Sequence, residues 1–468
     1  MVEKIQRKMS ESRSARWIVL LMVSLTMMCG YFLTDVLAPL KGLLIELFHW
    51  DNTDFGLFNS GYGWFNIFLL MLIFGGMVLD KLGARFTGVL SVGVMLVGIG
   101  IKYYAIGFMD PSRTVDFWFF GAQTLKAQVL AASLGYALFA VGYETIGITA
   151  NKIVVRWFKG RELAFALGMN VAFARMGTFL ALALPLPIAK AFGNSVSTPI
   201  LFGMILLLLG FLTFLVYIVM DRRLDSERAQ EGLADDERFR FRDIFSIFRI
   251  RAFWYIALLC LLFYAAVHPF VKFAVDLVVQ KFGVAGEYSG LIPSLLPVGT
   301  LVLTPLFGSI YDRRGKGASM MIWGALMLVF VYAGFSIPWV DHWAAAVVLV
   351  IILGVAFSLV PSAMWPSVPK IIPEHELGTA YALIFWVQNW GLAGVPLLIG
   401  WALDKWGTLP PQTVDGASVP RYDYTVPMLI FLALGLLAVL FGVLLKREDK
   451  RKGYGLQKPN IVRQTTDN

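Results

Sequence analysis

The sequence predicts an all-α membrane protein in which twelve transmembrane helices form two pseudo-symmetric six-helix bundles. Composition is the first reason, because the 468 residues are 58% hydrophobic and only 15% charged. A soluble globular chain is roughly 45–50% apolar and about 25% charged, so this chain cannot cover itself with a water-compatible surface. The second reason is the number of long apolar stretches, and the third is a loop sequence that occurs once in each half.

Twelve apolar stretches are each long enough to cross a bilayer, which takes about 20 residues of α-helix. The predicted spans lie near 17–38, 55–79, 86–108, 128–157, 162–187, 197–220, 252–278, 287–311, 317–338, 343–369, 374–401 and 425–445. The chain is thereby divided into an N-terminal tail (1–16), a first bundle (17–220), a linker (221–251), a second bundle (252–446) and a C-terminal tail (447–468).

The basic residues predict the orientation of the spans, because cytoplasmic loops of membrane proteins carry an excess of Lys and Arg. Of the 40 Lys and Arg residues, 29 fall on the side that holds both termini, 8 on the opposite side and 3 inside spans. Lys41 and Lys102 are among the eight assigned to the opposite side. Both termini are therefore predicted to be cytoplasmic. In the linker, Phe241, Ile244, Phe245 and Phe248 are spaced as one face of a short helix in the membrane interface, although a solvated linker fits them nearly as well.

Several classes of protein are excluded by the composition. Two cysteines exclude a disulfide framework, and four histidines argue against a zinc site with several ligands. No nucleophile–base pair, metal cluster or phosphate-binding loop is recognisable, so we expect neither an enzyme nor a cofactor. The net charge of +9 sits in loops beside apolar spans, which argues against a nucleic-acid partner.

A short glycine- and charge-containing loop follows span 2 and recurs after span 8. The first copy contains Gly76, Asp80, Gly83 and Arg85, and the second contains Gly308, Asp312, Arg313 and Gly315. Glycine allows a tight turn and a close approach of helices, and the carboxylate can face a helix N-terminus or an arginine. Arg156, at the end of span 4, is the candidate partner of Asp80. A plain basic turn would not need to occur twice at equivalent positions, so we interpret both copies as gating loops.

Two ionisable residues lie at matching depths inside consecutive spans. Glu144 precedes Trp157 by 13 residues in span 4, and Arg175 follows Glu162 by 13 residues in span 5. At about 1.5 Å per residue, both lie roughly 20 Å from the same membrane surface. They can therefore face a common space and bind a polar substrate, or they can form a buried salt bridge within the first half.

Other polar and aromatic residues inside spans are weaker candidates for substrate binding. They are Tyr31, Asp35, His268, Lys272, Ser362, Trp365, Trp386 and Asn389. Asp35 can relay a proton or lie at the outer interface. His268, Lys272 and Asp276 share a helix face, although the last two can simply pair with each other. Asn389 follows Glu376 by 13 residues in the second half, just as Arg175 follows Glu162 in the first. The tryptophans can form aromatic walls of a binding site.

The doubled loop and the twelve spans resemble the major facilitator superfamily over essentially the whole chain. The resemblance implies the major facilitator fold, a V-shaped pair of bundles that rock around a central cavity lined by spans 1, 4, 7 and 10. A narrower likeness, to the lysosomal dipeptide transporters of animals and their bacterial relatives, rests on Glu144, Asn151, 157–160, Glu162 and 174–177. That likeness implies that Glu144 and Arg175 bind the two ends of a dipeptide.

The predicted function is alternating-access transport of small zwitterionic solutes, with dipeptides first, by facilitated diffusion or proton coupling. An amino-acid or organic-anion carrier and a non-transporting receptor or scaffold are the alternatives. The expected partners are a small-molecule substrate and the lipid bilayer, and we expect a monomer. The expected location is a bacterial inner membrane, because no acidic dileucine signal precedes Trp17, with the lysosomal membrane as the alternative.

The predicted orientation can be tested by cysteine labelling in intact cells. A cysteine introduced next to Arg113 should react with a membrane-impermeant maleimide, whereas one next to Arg238 should react only after the cells are opened. The reverse pattern would invert the topology and every depth derived from it.

Overall fold

The structure, a computed structural model, describes residues 12–117, 123–158, 162–229, 243–373, 376–414 and 417–459. Its helices are Arg13–Asp35, Ala38–Leu40, Lys41–Phe48, Asn52–Phe68, Met71–Phe108, Ala127–Phe158, Leu163–Ala183, Pro185–Ala191, Ser197–Ala229, Asp243–Phe248, Arg251–Phe282, Gly286–Ser289, Leu291–Arg314, Gly317–Ser336, Trp343–Ile371, Leu377–Ala402, Leu403–Gly407 and Thr425–Lys452. Four strands form two antiparallel hairpins, β1 (Thr114–Phe117) with β2 (Gln123–Lys126) and β3 (Thr408–Val414) with β4 (Ala417–Tyr422).

The predicted all-α membrane fold is confirmed. Eleven helices of the described part are long and apolar enough to cross a membrane, and Asn52–Phe68 with Met71–Leu79 forms a further, bent span. We number these spans 1 to 12 as in the sequence. Span 2 is not the single straight helix that its apolar run predicts, because it bends by 60° where Leu70 adopts a left-handed φ of 54°.

The helix ends differ from their predicted positions where charged residues continue the helix beyond the bilayer. Ser197–Ala229 extends past the predicted end at 220, and Thr425–Lys452 extends past 445. In the linker, the predicted short helix is present as Asp243–Phe248, which buries Ile247 and exposes Phe245 and Phe248. Phe241 and the side chain of Ile244 lie outside the described residues, so the predicted apolar face stays a prediction.

The two gating loops share one backbone feature. Gly83 and Gly315 both adopt left-handed φ values, 77° and 68°, which glycine accepts without strain and which turn the chain into the next span. Gly76 and Gly308 do not serve close helix packing as predicted, since a Cβ at either position would meet no atom within 4 Å. Arg313 is exposed at the second turn.

In the first half, a buried aspartate of span 6 joins three spans below the first gating loop. Asp221, which is fully buried, lies 3.3 Å from Arg156 Nη1 and 3.6 Å from Arg85 Nε, and it accepts a hydrogen bond from Trp157 Nε1 at 3.0 Å. The side chain of Asp80 lies outside the described residues, so its predicted pairing with Arg156 stays a prediction.

The start of span 1, the end of span 12 and the gating loops lie on one side of the bundle, here called the terminal face, and both β-hairpins lie on the other, the hairpin face. Span 2 packs against span 11, and span 5 against span 8, across the interface between the halves. Near the hairpin face this approach is very close. A Cβ at Gly56 would lie 2.5 Å from the carbonyl oxygen of Pro396, and one at Gly400 would lie 2.1 Å from that of Asn52.

Two buried ion pairs join the halves near the hairpin face, and we call them the crossed ion pairs. Asp35 of the first half lies 2.5 Å from Lys272 of the second, and Lys41 of the first half lies 2.5 Å from Asp276 of the second. Tyr424 also donates a hydrogen bond to Asp276. Each half contributes one acid and one base, so both acids face a base only when the halves are aligned as in the structure.

A third polar contact between the halves caps a helix. The Asp404 carboxylate accepts hydrogen bonds from the backbone N–H groups of Asn52 and Thr53, at 3.1 and 2.6 Å, and from both of their side chains. These N–H groups open the first turn of span 2, where the helix dipole favours a carboxylate. The second half therefore completes a helix terminus of the first, and the hairpin face is closed.

The crossed ion pairs should hold the hairpin face closed. Breaking one partner of a buried pair costs about 3–5 kcal/mol, so Lys41→Gln or Asp276→Asn should increase the reactivity of a cysteine placed at Phe55 toward a maleimide added on the hairpin side. The charge swap Lys41→Asp with Asp276→Lys should restore much of the protection.

An exposed ion pair between the same halves provides the matched control. Lys190 and Glu287 lie 3.7 Å apart with side chains 45% and 67% exposed, and such pairs contribute about 0–1 kcal/mol. Lys190→Gln should therefore change labelling little. Equal labelling rates in Lys41→Gln and Lys190→Gln would show that the buried pair does not control closure.

Candidate functional site

A cavity of about 210 Å³ lies between the two halves, on the inner side of the crossed ion pairs. Its walls contain Tyr31, Thr34, Asp35, Asn59, Tyr62, Tyr136, Tyr143, Glu144, Arg175, Tyr264, His268, Pro269, Lys272, Trp365, Phe385, Gln388, Leu392 and Pro396. Spans 1, 4, 7 and 10 contribute, as the family resemblance implies, and spans 2, 5 and 11 contribute as well. Both Glu144 and Arg175 reach this one space.

Glu144 is positioned by an aromatic side chain of a neighbouring span. Tyr62, in span 2, donates a hydrogen bond to its carboxylate. The ring of Tyr62 packs against those of Tyr136 and Tyr143 at centroid distances of 5.6 and 6.2 Å, which fixes the hydroxyl in place. The carboxylate therefore has a defined direction and retains acceptor capacity toward the cavity.

Arg175 is held by aromatic rings rather than by an acid. Its guanidinium carbon lies 4.7 Å from the ring centre of Phe357 and 5.8 Å from that of Tyr31. Within the described residues, Arg175 forms no hydrogen bond or ion pair, and none joins it to Glu144. The alternative of a salt bridge locking the first half is therefore not realised. The guanidinium carries five N–H donors, and contacts with ring faces leave these donors available to a ligand in the cavity that Arg175 lines.

The second half contributes an aromatic wall opposite these charges. His268 stacks on Tyr264 at 5.5 Å and meets the edge of Phe357 at 5.4 Å. Trp365 donates a hydrogen bond to the Tyr264 hydroxyl at 3.2 Å and stacks on Phe385 at 5.0 Å. Flat rings of this kind can contact apolar and polar groups alike.

The hairpin-side end of the cavity is closed by Lys272. Its ammonium donates hydrogen bonds to Asp35, to the carbonyl oxygen of Thr34 at 2.6 Å and to the hydroxyl of Tyr136 at 3.1 Å. Asp35 is 6% exposed, so it is buried between the two halves rather than open to solvent. Lys272 and Asp276 do not pair with each other, because each meets an opposite charge from the first half.

Three predicted candidates lie away from the cavity wall. Ser362 donates hydrogen bonds to backbone oxygens of its own helix and of span 8, and Trp386 donates one to the carbonyl of Ile67 at 3.1 Å. Asn389 is fully buried against span 2. The preceding residue, Gln388, reaches the cavity instead, because one residue turns a helix face by about 100° and repeat alignment alone does not fix that angle.

Two buried lysines near the cavity are among the eight basic residues that the sequence assigns to the outer side of the protein. Lys41 and Lys102 are 1% and 0% exposed. Lys102, in span 3, donates a hydrogen bond to the carbonyl of Leu33 at 3.2 Å and lies 5.1 and 4.8 Å from the ring centres of Phe58 and Tyr136. Its position inside an apolar run was the available signal, since charge within a span is costly.

The cavity wall also contains residues that sequence reasoning missed, chiefly Asn59, Tyr62, Tyr143 and Tyr264. Their types are common in ordinary helix packing, so nothing in a single sequence distinguishes them. Among the described residues, no group of three or more His, Cys, Asp or Glu side chains is placed to hold a metal ion.

Comparisons with known proteins identify the family of the chain. The family profile described as Major Facilitator Superfamily matches residues 20–393 and 270–462. The "Lysosomal dipeptide transporter MFSD1" of mouse (Mus musculus) is 28% identical over 404 residues, covering 83% of this chain and 81% of the mouse protein. The human (Homo sapiens) protein of the same name is 26% identical, covering 84% of this chain and 81% of its own length.

Solved structures share the fold at low identity. The nucleoside transporter NupG aligns with a TM-score of 0.65 at 14% identity, covering 92% of this chain and 99% of NupG. A bacterial homolog of the human lysosomal transporter Spinster, in an inward-facing and occupied conformation, aligns with a TM-score of 0.67 at 14% identity, covering 93% and 98%. The chain is therefore a membrane transporter, not an enzyme, and belongs to the Major Facilitator Superfamily.

Proposed function

We propose that the chain carries dipeptides across the membrane, with Glu144 binding the peptide ammonium and Arg175 its carboxylate. The observation that supports this most directly is that two opposite charges face one cavity without pairing with each other. An acid and a base that face one cavity without pairing are both available to a ligand that carries the opposite charge at each end. The names of the mouse and human relatives favour the same substrate.

A dipeptide has the charge pattern that this pair of side chains requires. At neutral pH it is a zwitterion, and an extended chain of two residues separates its ends by roughly 6–7 Å. The planar guanidinium can bind a carboxylate with two parallel hydrogen bonds. We propose that the carboxylate of Glu144 and the guanidinium of Arg175 are held apart to match this separation, so that a single amino acid is too short to reach both groups and a longer peptide is too long to fit between them.

The walls of the cavity suggest how different peptide side chains are accommodated. Tyr264, His268, Trp365 and Phe385 form the flat surface contributed by the second half. This surface contacts side chains without demanding one shape, while the two charges fix the backbone ends. Specificity thus resides in the termini of the peptide.

The position of the cavity between the two halves supports an alternating-access mechanism. In the structure the crossed ion pairs close the hairpin face, so exchange with that side requires them to separate. We propose that the gating loops, with Asp80 and Asp312, stabilise closure of the opposite face. Facilitated diffusion needs no further group, whereas proton coupling requires a titrating residue, for which Asp35 and Glu144 are the candidates.

A carrier of organic anions is the second candidate. It is favoured by Arg175, whose guanidinium meets only rings within the described residues and can bind a carboxylate by itself. The two functions differ at Glu144, which a dipeptide needs and a carboxylate does not.

We further propose that the terminal face is cytoplasmic and that the chain functions as a monomer. A bacterial inner membrane is the proposed location. The lysosomal membrane, which the relatives' names indicate for those proteins, is the alternative.

Neutralising the two charges should abolish dipeptide binding without unfolding the protein. Each charged hydrogen bond contributes about 1.5–3 kcal/mol, so Glu144→Gln or Arg175→Met should weaken dipeptide binding by roughly 10- to 150-fold. N-acetylated dipeptides should lose the dependence on Glu144, and C-amidated dipeptides the dependence on Arg175. Binding is measured by thermal shift and transport by counterflow in proteoliposomes.

Matched changes on the same helices provide the control. Thr149→Val with Thr178→Val removes two buried hydroxyls that do not line the cavity, and it should leave affinity unchanged. Dipeptide transport at the wild-type rate by a folded Glu144→Gln, Arg175→Met double variant would refute the binding roles. Carboxylate binding that survives Glu144→Gln, with no dipeptide binding in the wild type, would select the organic-anion carrier.

A further inference from the structure

We propose that a basic pocket on the terminal face binds the headgroup of an anionic phospholipid. The pocket, about 420 Å³ in volume, is separate from the substrate cavity and lies where span 7 begins and span 12 ends. It is lined by Arg249, Ile250, Arg251, Glu448, Arg451, Lys452 and Tyr454. We call it the basic pocket. It lies outside the transport machinery described above.

The charges of the basic pocket are unbalanced. Four cationic side chains face one carboxylate, Glu448, which is buried and lies 2.7 Å from Arg451. Within the described residues, Arg249, Arg251 and Lys452 form no side-chain ion pair or hydrogen bond. Three cations therefore converge on one space and are free to bind phosphate oxygens, which Arg does with two parallel hydrogen bonds.

The depth of the basic pocket is that of the lipid headgroups. Arg251 is the first residue of span 7 and lies where that helix enters the bilayer. Lys452 ends the charged extension that carries the helix of span 12 just beyond the bilayer. The two spans pack directly against each other, with Tyr255 and Phe441 rings 6.3 Å apart. A ligand here can place its phosphate in the pocket and its acyl chains along the outer surface of the two helices.

Exposed aromatic residues beside the basic pocket also indicate the depth of the lipid headgroups. Phe245 is 73% exposed and Phe248 is 38% exposed on the short linker helix that leads to Arg249. The ring centres of Trp254 and Phe248 lie 5.3 Å apart, and the indole N–H of Trp254 donates a hydrogen bond to the carbonyl oxygen of Phe248 at 3.0 Å. Aromatic side chains concentrate at membrane interfaces, so the linker helix lies on the bilayer surface beside the basic pocket.

An anionic phospholipid is the occupant that these features favour over a free anion. A soluble phosphate would gain only the charge contacts, whereas a lipid also gains apolar contact with the exposed aromatic residues and the two spans. Basic pockets between spans on the cytoplasmic side are typical sites for anionic headgroups. The phosphate diester is the recognised group, and phosphatidylglycerol is its simplest carrier.

The experiment compares lipid retention in matched variants of the full chain. The protein is reconstituted in nanodiscs containing phosphatidylcholine and phosphatidylglycerol, released into detergent, and examined by native mass spectrometry. The wild type should retain phosphatidylglycerol in preference to phosphatidylcholine. Arg249→Gln with Arg251→Gln should weaken retention by about fivefold for each cation removed, and adding Lys452→Gln should weaken it further.

A second double variant tests whether the pocket or the general surface charge is responsible. Lys446→Gln with Lys450→Gln removes two exposed cations from the same end of span 12, outside the basic pocket. It should retain phosphatidylglycerol as the wild type does. Equal losses in both double variants would reduce the effect to nonspecific attraction and overturn the proposal.

Two further outcomes would also overturn it. Displacement of the lipid by inorganic phosphate would identify a site for free anions. Destabilisation of Arg249→Gln, Arg251→Gln by the same amount in nanodiscs of phosphatidylcholine alone would show that these arginines serve the fold itself. Thermal unfolding in both lipid compositions separates these cases, because a lipid site affects stability only when phosphatidylglycerol is present.

Discussion

The crossed ion pairs are the constraint on which the rest of the structure depends. A buried ion pair contributes little net stability, because desolvation offsets most of the attraction, but losing one partner is expensive. Contact between the halves at Asp35–Lys272 and Lys41–Asp276 is therefore all-or-none rather than gradual. A sliding of one half by a turn would bring like charges together. The crossed ion pairs therefore define one closed arrangement of the halves while adding little net free energy to it. A reversible cycle requires both properties.

The charge distribution of the cavity follows from this closure. The ammonium of Lys272 donates hydrogen bonds to Asp35 and to the carbonyl of Thr34, and that of Lys102 donates one to the carbonyl of Leu33. The two lysines thus satisfy successive carbonyls at the C-terminal end of span 1, where the helix dipole is negative. Glu144 and Arg175 remain as the charged side chains that a substrate can contact. Because aromatic residues orient both of them, those residues contribute to binding as much as the two charges do.

Much of this could be predicted from the sequence, and the failures have physical reasons. Length and hydropathy identify the spans, and equal spacing from the ends of spans 4 and 5 places Glu144 and Arg175 at one depth. Spacing does not identify which residues meet across an interface. Lys41 was assigned to a loop because its acid, Asp276, lies 235 residues away. The bend of span 2 was also missed, because Leu70 gives no sign in sequence of its left-handed backbone.

The repeated loops show that equivalent turns can be stabilised in different ways. In the first half, Asp221 binds Arg85 and Arg156 through side chains. In the second, the C-terminal tail supplies backbone carbonyls, and those of Leu456 and Gln457 accept from the N–H groups of Gly317 and Lys316 at 2.9 and 3.0 Å. Both sets of bonds lie within one half, so neither must break when the halves rock. The fold thus separates permanent bonds that keep each bundle rigid from the crossed ion pairs, which join the bundles and must separate for exchange on the hairpin side.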